Sequence, residues 1–154
     1  MPPLVIESLQ SLHEFVGREF PATDWFTVTQ ERIQQFAEAT EDRQWIHLDV
    51  ERAREESPYG ATIAHGFLTL SLISFFMKQV IQIRTGVRLA VNYGLNRVRF
   101  PSPVKANARI RARFTLLTLK DTPDALDAVF AVSIESEGTD KPCCAAEWIV
   151  RYYR

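Results

Sequence analysis

His65-Gly-Phe-Leu-Thr-Leu-Ser-Leu-Ile-Ser-Phe-Phe-Met-Lys-Gln-Val-Ile-Gln82 has helical spacing but is apolar on nearly every side. Phe67, Leu68, Leu70, Leu72, Ile73, Phe75, Phe76 and Val80 fall around the whole circumference. A helix of that kind is expected to be largely wrapped by other structure. The chain that follows supplies the wrapping. Val87 to Phe100 forms a long extended run ended by Pro101-Ser-Pro103, and Ile110, Ala112, Phe114 and Leu116 then alternate with Arg109, Arg111, Arg113 and Thr115, the pattern of a half-buried strand. Ala128 to Glu135 and Ala145 to Tyr153 add two more strands, set off by the turns Asp121-Thr-Pro-Asp124 and Glu137-Gly-Thr-Asp-Lys-Pro142. Hairpin-like connections imply an antiparallel sheet. One buried helix followed by such strands predicts an α+β architecture in which the sheet curls around the helix.

Upstream, Leu9, Leu12, Phe15 and Val16 recur at helical spacing before Gly17, which suits a short helix with a glycine stop. Trp25 to Val28 suits a short extended segment. Thr29 then caps a helix whose apolar positions Ile33, Phe36, Ala37 and Thr40 share one face, and Glu31 sits favourably in its first turn. The loop after Thr40 carries Asp42 and His47. Asp49 caps a further short helix through Arg54, and Ser57-Pro-Tyr-Gly60 marks a turn.

With 154 residues, the chain is expected to be one domain, 1–154, with an ordinary soluble composition. A net charge of −1 gives no basic excess of the kind a nucleic-acid partner would select. Cys143 and Cys144 are neighbours that would point to opposite faces of a strand, so they are expected to stay reduced and the protein to be cytoplasmic. No basic start precedes an apolar leader. Thr69, Ser71, Ser74 and Lys78 interrupt the most apolar region, which argues against membrane insertion.

Chemistry concentrates in Phe36-Ala-Glu-Ala-Thr-Glu-Asp42-Arg-Gln-Trp-Ile-His47 and in Ala61-Thr-Ile-Ala-His-Gly66-Phe-Leu. A carboxylate and an imidazole five residues apart, with a glycine at the start of a helix, are the parts of an acid–base site with an oxyanion donor. Alone, Asp42 would be an ordinary cap or solvated loop residue and His47 a half-buried histidine. Their order and spacing resemble the MaoC-like dehydratases and R-specific enoyl-CoA hydratases of the hotdog fold. The similarity continues through Asn92-Tyr-Gly-Leu-Asn-Arg-Val-Arg-Phe-Pro101 to Ala146-Glu-Trp-Ile-Val-Arg-Tyr152. Glu41 stands where that family usually has glycine, and Gln44-Trp45 where it often has Asn-Pro.

The resemblance implies a single hotdog domain whose antiparallel sheet wraps a long central helix. It also implies a hydro-lyase that converts trans-2-enoyl-CoA to (R)-3-hydroxyacyl-CoA, with no metal or organic cofactor. His47 would be the base toward water, Asp42 would orient that water, and the Gly66 amide would hold the thioester oxygen. Ser74 would support the pair from behind. Phe67, Leu70 and Tyr93 are expected to line the acyl tunnel, and Arg97, or one of Arg109, Arg111 and Arg113, to meet the coenzyme A phosphates. The arginine row on its own is expected to be the solvated face of a strand. His65 is expected to satisfy a loop carbonyl rather than to react. Val87–Phe100 is expected to pair across the boundary of a homodimer, leaving no exposed sheet edge. The alternatives are a 3-hydroxyacyl dehydratase working on acyl carrier protein, a non-catalytic acyl-CoA-binding hotdog module, and a thioesterase, whose usual nucleophile or base placement is not evident here.

Overall fold

The computed structural model describes residues 1–154. Four long strands, β4 (Leu89–Arg99), β5 (Arg109–Asp121), β6 (Ala125–Ser136) and β7 (Cys144–Tyr153), join the short β2 (Phe26–Thr27) in one antiparallel sheet ordered β2-β5-β6-β7-β4. Strand β1 (Leu4–Ile6) pairs separately, in parallel, with β3 (Ile81–Ile83). Both short strands lay outside the expectations from sequence. Three residues are too few for an alternation to register.

Period-two burial is clearest in β5, β6 and β7, where one set of side chains is buried and the other half-exposed. On the inner face Phe114, Phe130 and Trp148 form an aromatic tier with ring centroids 6.0–6.5 Å apart. The outer face carries cross-strand ion pairs. Arg111 stands directly opposite Glu135 and Arg151 opposite Asp127, while Arg109 reaches Glu137 and Arg113 reaches Glu19 and Glu135. Opposed charges at facing positions favour this register. Arg151 donates twice to Asp127 at 2.7 Å and holds that carboxyl below the usual carboxylate range.

The central helix differs from its expected form. It runs as α4 (Gly66–Ser71) and α5 (Ile73–Val80), interrupted at Leu72, and its tail enters β3. Ser71 Oγ donates back to the Leu68 carbonyl at 2.7 Å beside the break, an alternative backbone partner of the kind that bends helices. Leu68, Ile73, Phe76, Met77 and Val80 face the sheet. Phe76 is fully buried, with its ring edge-on to Phe26 at 6.0 Å. The opposite side is open: Phe67 is 70% and Phe75 42% exposed. The antiparallel sheet curls around this central helix as expected, and it leaves one side of the helix open.

Three shorter helices precede it. In α1 (Gln30–Thr40) Thr29 accepts from Arg32 N at 3.1 Å, Ile33 and Ala37 are fully buried, and Glu41 ends the helix at φ 63°. His47 lies in a one-turn helix, α2 (Trp45–Leu48), instead of the expected loop. Asp49 caps α3 (Val50–Glu56) by accepting from Arg52 N at 3.1 Å. The first predicted helix is a 3-10 turn, Gln10–Phe15, followed by Gly17 at φ 82°.

Candidate active site

The two halves of the sequence motif meet. The extended segment 61–65 threads between α2 and residues 104–106: Ile63 N donates to Ile46 O at 3.0 Å, Ala64 N to Val104 O at 2.7 Å, and Ala106 N to Thr62 O at 2.9 Å. Gln30 clamps it from the start of α1. Its Nε2 donates to the His47 carbonyl at 2.7 Å, and its Oε1 accepts from Thr62 Oγ1 at 2.5 Å. Nothing in the sequence singled out Gln30, a polar residue in the first turn of a helix.

His47 is buried, and its Nδ1 lies 2.7 Å from the Ile63 carbonyl. A carbonyl can only accept, so Nδ1 carries the proton and Nε2 keeps its lone pair. Burial lowers the pKa of His47 below the ordinary histidine value, the Ile63 carbonyl opposes this, and neighbouring His65 adds to the lowering. The net lowering and the fixed tautomer both suit a neutral base.

His65, also buried, stacks on His47 with ring centroids 3.8 Å apart and planes inclined by 22°, while Phe36 lies on it at 4.9 Å. Its Nε2 donates to the Asp42 backbone carbonyl at 2.9 Å. The expected loop carbonyl is thus the one belonging to Asp42, and His65 ties the two halves of the motif together. Its buried Nδ1 has no partner. The Asp42 side chain is exposed, and Gln44 N approaches its Oδ1 at 3.5 Å.

One donor atom from each of Asp42, His47 and His65 lies within 4.8 Å of the others. Such a trio could suggest a metal, but an ion ~2.0–2.1 Å from an imidazole nitrogen lies close to that ring's plane. Two planes stacked 3.8 Å apart and inclined by only 22° do not converge within that reach. One nitrogen of each ring is also committed to a carbonyl. The trio suits protons better than a cation.

Gly66 opens α4, and no backbone carbonyl accepts from its N–H. A side chain here would force the Phe100 ring to move, since a Cβ would sit 2.9 Å from it. Gly66 lines a cleft of ≈ 300 Å³ together with Tyr59, Thr69 and Phe100. A second cleft of ≈ 280 Å³ takes in Phe67, Leu70 and Ser74.

The remaining predicted residues lie elsewhere. Ser74 Oγ donates to Asn92 Oδ1 at 3.3 Å and bonds to neither Asp42 nor His47. Tyr93 does not face the described clefts; it lies over the Arg151 guanidinium at 3.8 Å on the outer face of the sheet, opposite to the face its neighbour Asn92 takes. Arg97 is exposed at φ 52° and forms no ion pair. Arg109, Arg111 and Arg113 are engaged by glutamates, as a solvated strand face would be.

The two departures in the motif have local explanations. Glu41 occupies the left-handed position ending α1 with its carboxylate turned to Arg43. Glycine is the least strained residue in such a place. Trp45 is the first residue of α2, where proline fits naturally, and the Arg52 guanidinium covers its ring at 4.1 Å.

Comparison with known proteins gives the family and the fold. The pattern of the MaoC like domain matches residues 12–134. The 3-hydroxyacyl-thioester dehydratase Z of Mycobacterium tuberculosis is 46% identical over 147 residues, covering 95% of this chain and 96% of that protein. Nodulation protein N of Rhizobium leguminosarum bv. viciae is 43% identical over 143 residues, covering 92% and 89%. In fold, the chain superposes on the monoamine oxidase regulatory protein of Archaeoglobus fulgius with a TM-score of 0.78 at 21% identity, covering 100% and 99% of the two chains. The (R)-hydratase of A. caviae involved in PHA biosynthesis gives a TM-score of 0.70 at 22% identity, covering 88% and 94%.

Proposed function

The chain belongs to the MaoC-like family, a membership that makes it a hydro-lyase of hydroxyacyl thioesters, and from it we propose an (R)-specific enoyl-CoA hydratase that adds water reversibly to trans-2-enoyl-CoA. The observation that carries this reading is the state of His47. Its Nδ1–H is given to Ile63, leaving Nε2 as a free acceptor, and an Asp42 carboxylate oxygen lies within 4.8 Å of a nitrogen of this ring.

Hydration needs oxygen delivered to C3, a proton delivered to C2 and a donor for the negative charge that gathers on the thioester oxygen. His47 Nε2 takes a proton from a water that Asp42 orients. The water oxygen bonds to C3, and the π electrons move toward C2 and the carbonyl oxygen, which accepts from Gly66 N–H. The Asp42–His47 pair then delivers a proton to C2, so it has gained one and lost one over the cycle. Water and proton arriving from one side give syn addition, and presenting to that water the face of C3 that yields the (R)-3-hydroxyacyl product is part of the same family reading. A base with its pKa near working pH and a preorganised donor are the economical means to this end.

Loss of the conjugated absorbance of crotonyl-CoA tests the reading. Asp42→Asn and His47→Gln are each expected to lower turnover by about 10²–10⁴-fold, the range for removing an acid–base group, with the circular dichroism spectrum retained. Near-normal turnover in either variant would sink the mechanism. Matched coenzyme A and acyl carrier protein thioesters, assayed side by side, decide the carrier.

A further inference from the structure

The cleft reached by Phe67 and Leu70 continues between the central helix and strands β4 and β7 into another of ≈ 370 Å³, lined by Met77, Val87 and Val150 among others. The two share Ser74, Asn92 and Trp148, which form a waist in an otherwise mainly apolar groove. Trp148 Nε1 donates to Asn92 Oδ1 at 3.1 Å, and Ser74 Oγ donates to the same oxygen. Because an indole N–H can only donate, these contacts fix which way the Asn92 amide faces. The oxygen is doubly engaged. The amide nitrogen has no protein partner and offers two N–H groups at the waist.

The geometry points to Asn92 as a specificity-determining residue that selects acyl chains bearing an oxygen acceptor, a ketone or hydroxyl, at mid-chain. This rests on the hydratase reading, which sets the thioester at Gly66, next to Phe67 at the mouth of the cleft that leads to Asn92. A plain hydrocarbon passing the waist strips water from the Asn92 N–H groups and returns nothing, whereas a chain oxygen replaces the lost bond. Gly66 to Ser74 is eight residues, a rise of about 12 Å at helical pitch. At C–C bonds of ~1.5 Å, an extended chain covers that distance in roughly eight to ten carbons.

The test is a comparison of Kd, by titration calorimetry, for two saturated and therefore unreactive acyl-CoAs of about twelve carbons, one plain and one with a ketone at about carbon nine. The wild-type protein is expected to bind the ketone about tenfold more tightly, the worth of one recovered hydrogen bond. Asn92→Asp still accepts from Ser74 and Trp148 but presents no N–H, and it is expected to lose the preference; Asn92→Leu is expected to favour the plain chain. Equal affinities in the wild type, or a preference that survives both substitutions, overturns the proposal. Crotonyl-CoA, whose chain stops short of the waist, reports separately on hydration. Its failure to turn over in the wild type counts against the hydratase reading, while the Kd comparison still decides the role of Asn92.

Discussion

His47 links burial to reactivity. Taking the ring out of water disfavours its charged form, so the group stays neutral at pH values where a solvated histidine, near 6.5, would already be half protonated. Since the base must be neutral, kcat/KM is expected to hold down to a pH below 6.5 before its acidic limb begins. A limb centred at or above that value, measured on crotonyl-CoA, would contradict the assignment. Stability carries the same sign. The unfolded chain protonates His47 more readily than the folded one, so this contribution is present above the ordinary histidine range and is lost as pH falls toward the lowered folded value. His65 acts differently: by holding the Asp42 carbonyl and stacking on His47, it positions both partners through contacts that involve its ring but no reacting atom.

At the scale of elements, legibility followed length and period. Strands β5 to β7 are readable because Ile110, Ala112, Phe114 and Leu116, or Phe130, Val132 and Ile134, recur every second residue and are buried as that spacing requires. The one-turn helix α2 and the paired β1 and β3 are shorter than any period can report. The break at Leu72 was hidden because an apolar run looks alike whether the helix continues or bends. The motif's two halves, with Asp42 and His47 in one and His65 and Gly66 in the other, lie together in the fold, whereas Tyr93, expected in the tunnel, lies on the outer face because successive strand residues take opposite faces and Asn92 takes the inner one. Asn92 carried one faint signal, a polar residue among the apolar positions of a long strand. Its bond to Trp148, 56 residues away in sequence, becomes visible only in three dimensions. The end of α1 offers a direct test of backbone strain. Glu41 in the left-handed region costs roughly 1–2 kcal/mol, and its exposed pairing with Arg43 returns little. Glu41→Gly is therefore expected to raise unfolding free energy by about 1 kcal/mol, read from the urea midpoint. An unchanged or lower midpoint would show that the position is unstrained.

For the whole molecule, the long edge strand β4 is the outstanding liability. It leaves backbone groups unpaired on one side and exposes Leu89, Val91, Tyr93 and Leu95 by 38–55%. Next to it lies the open side of the central helix, with Phe67 and Phe75. Pairing of two such edges is the expected remedy. Leu95→Lys combined with Val91→Lys is expected to shift a dimer toward monomer in analytical ultracentrifugation, whereas a wild-type protein sedimenting as a monomer would refute edge pairing. No helix is long and apolar enough to cross a membrane.

The opposite margin of the same sheet is β2, two residues long. So short a margin has almost no backbone to offer a newcomer, and the convex surface is already occupied by its own arginines and carboxylates. A sheet that can be extended from one side only stops growing once that side has met its equal. Two-fold closure through β4 would use up the adhesive edge, and a molecule so closed would escape the open-ended ribbon that a second long margin would invite.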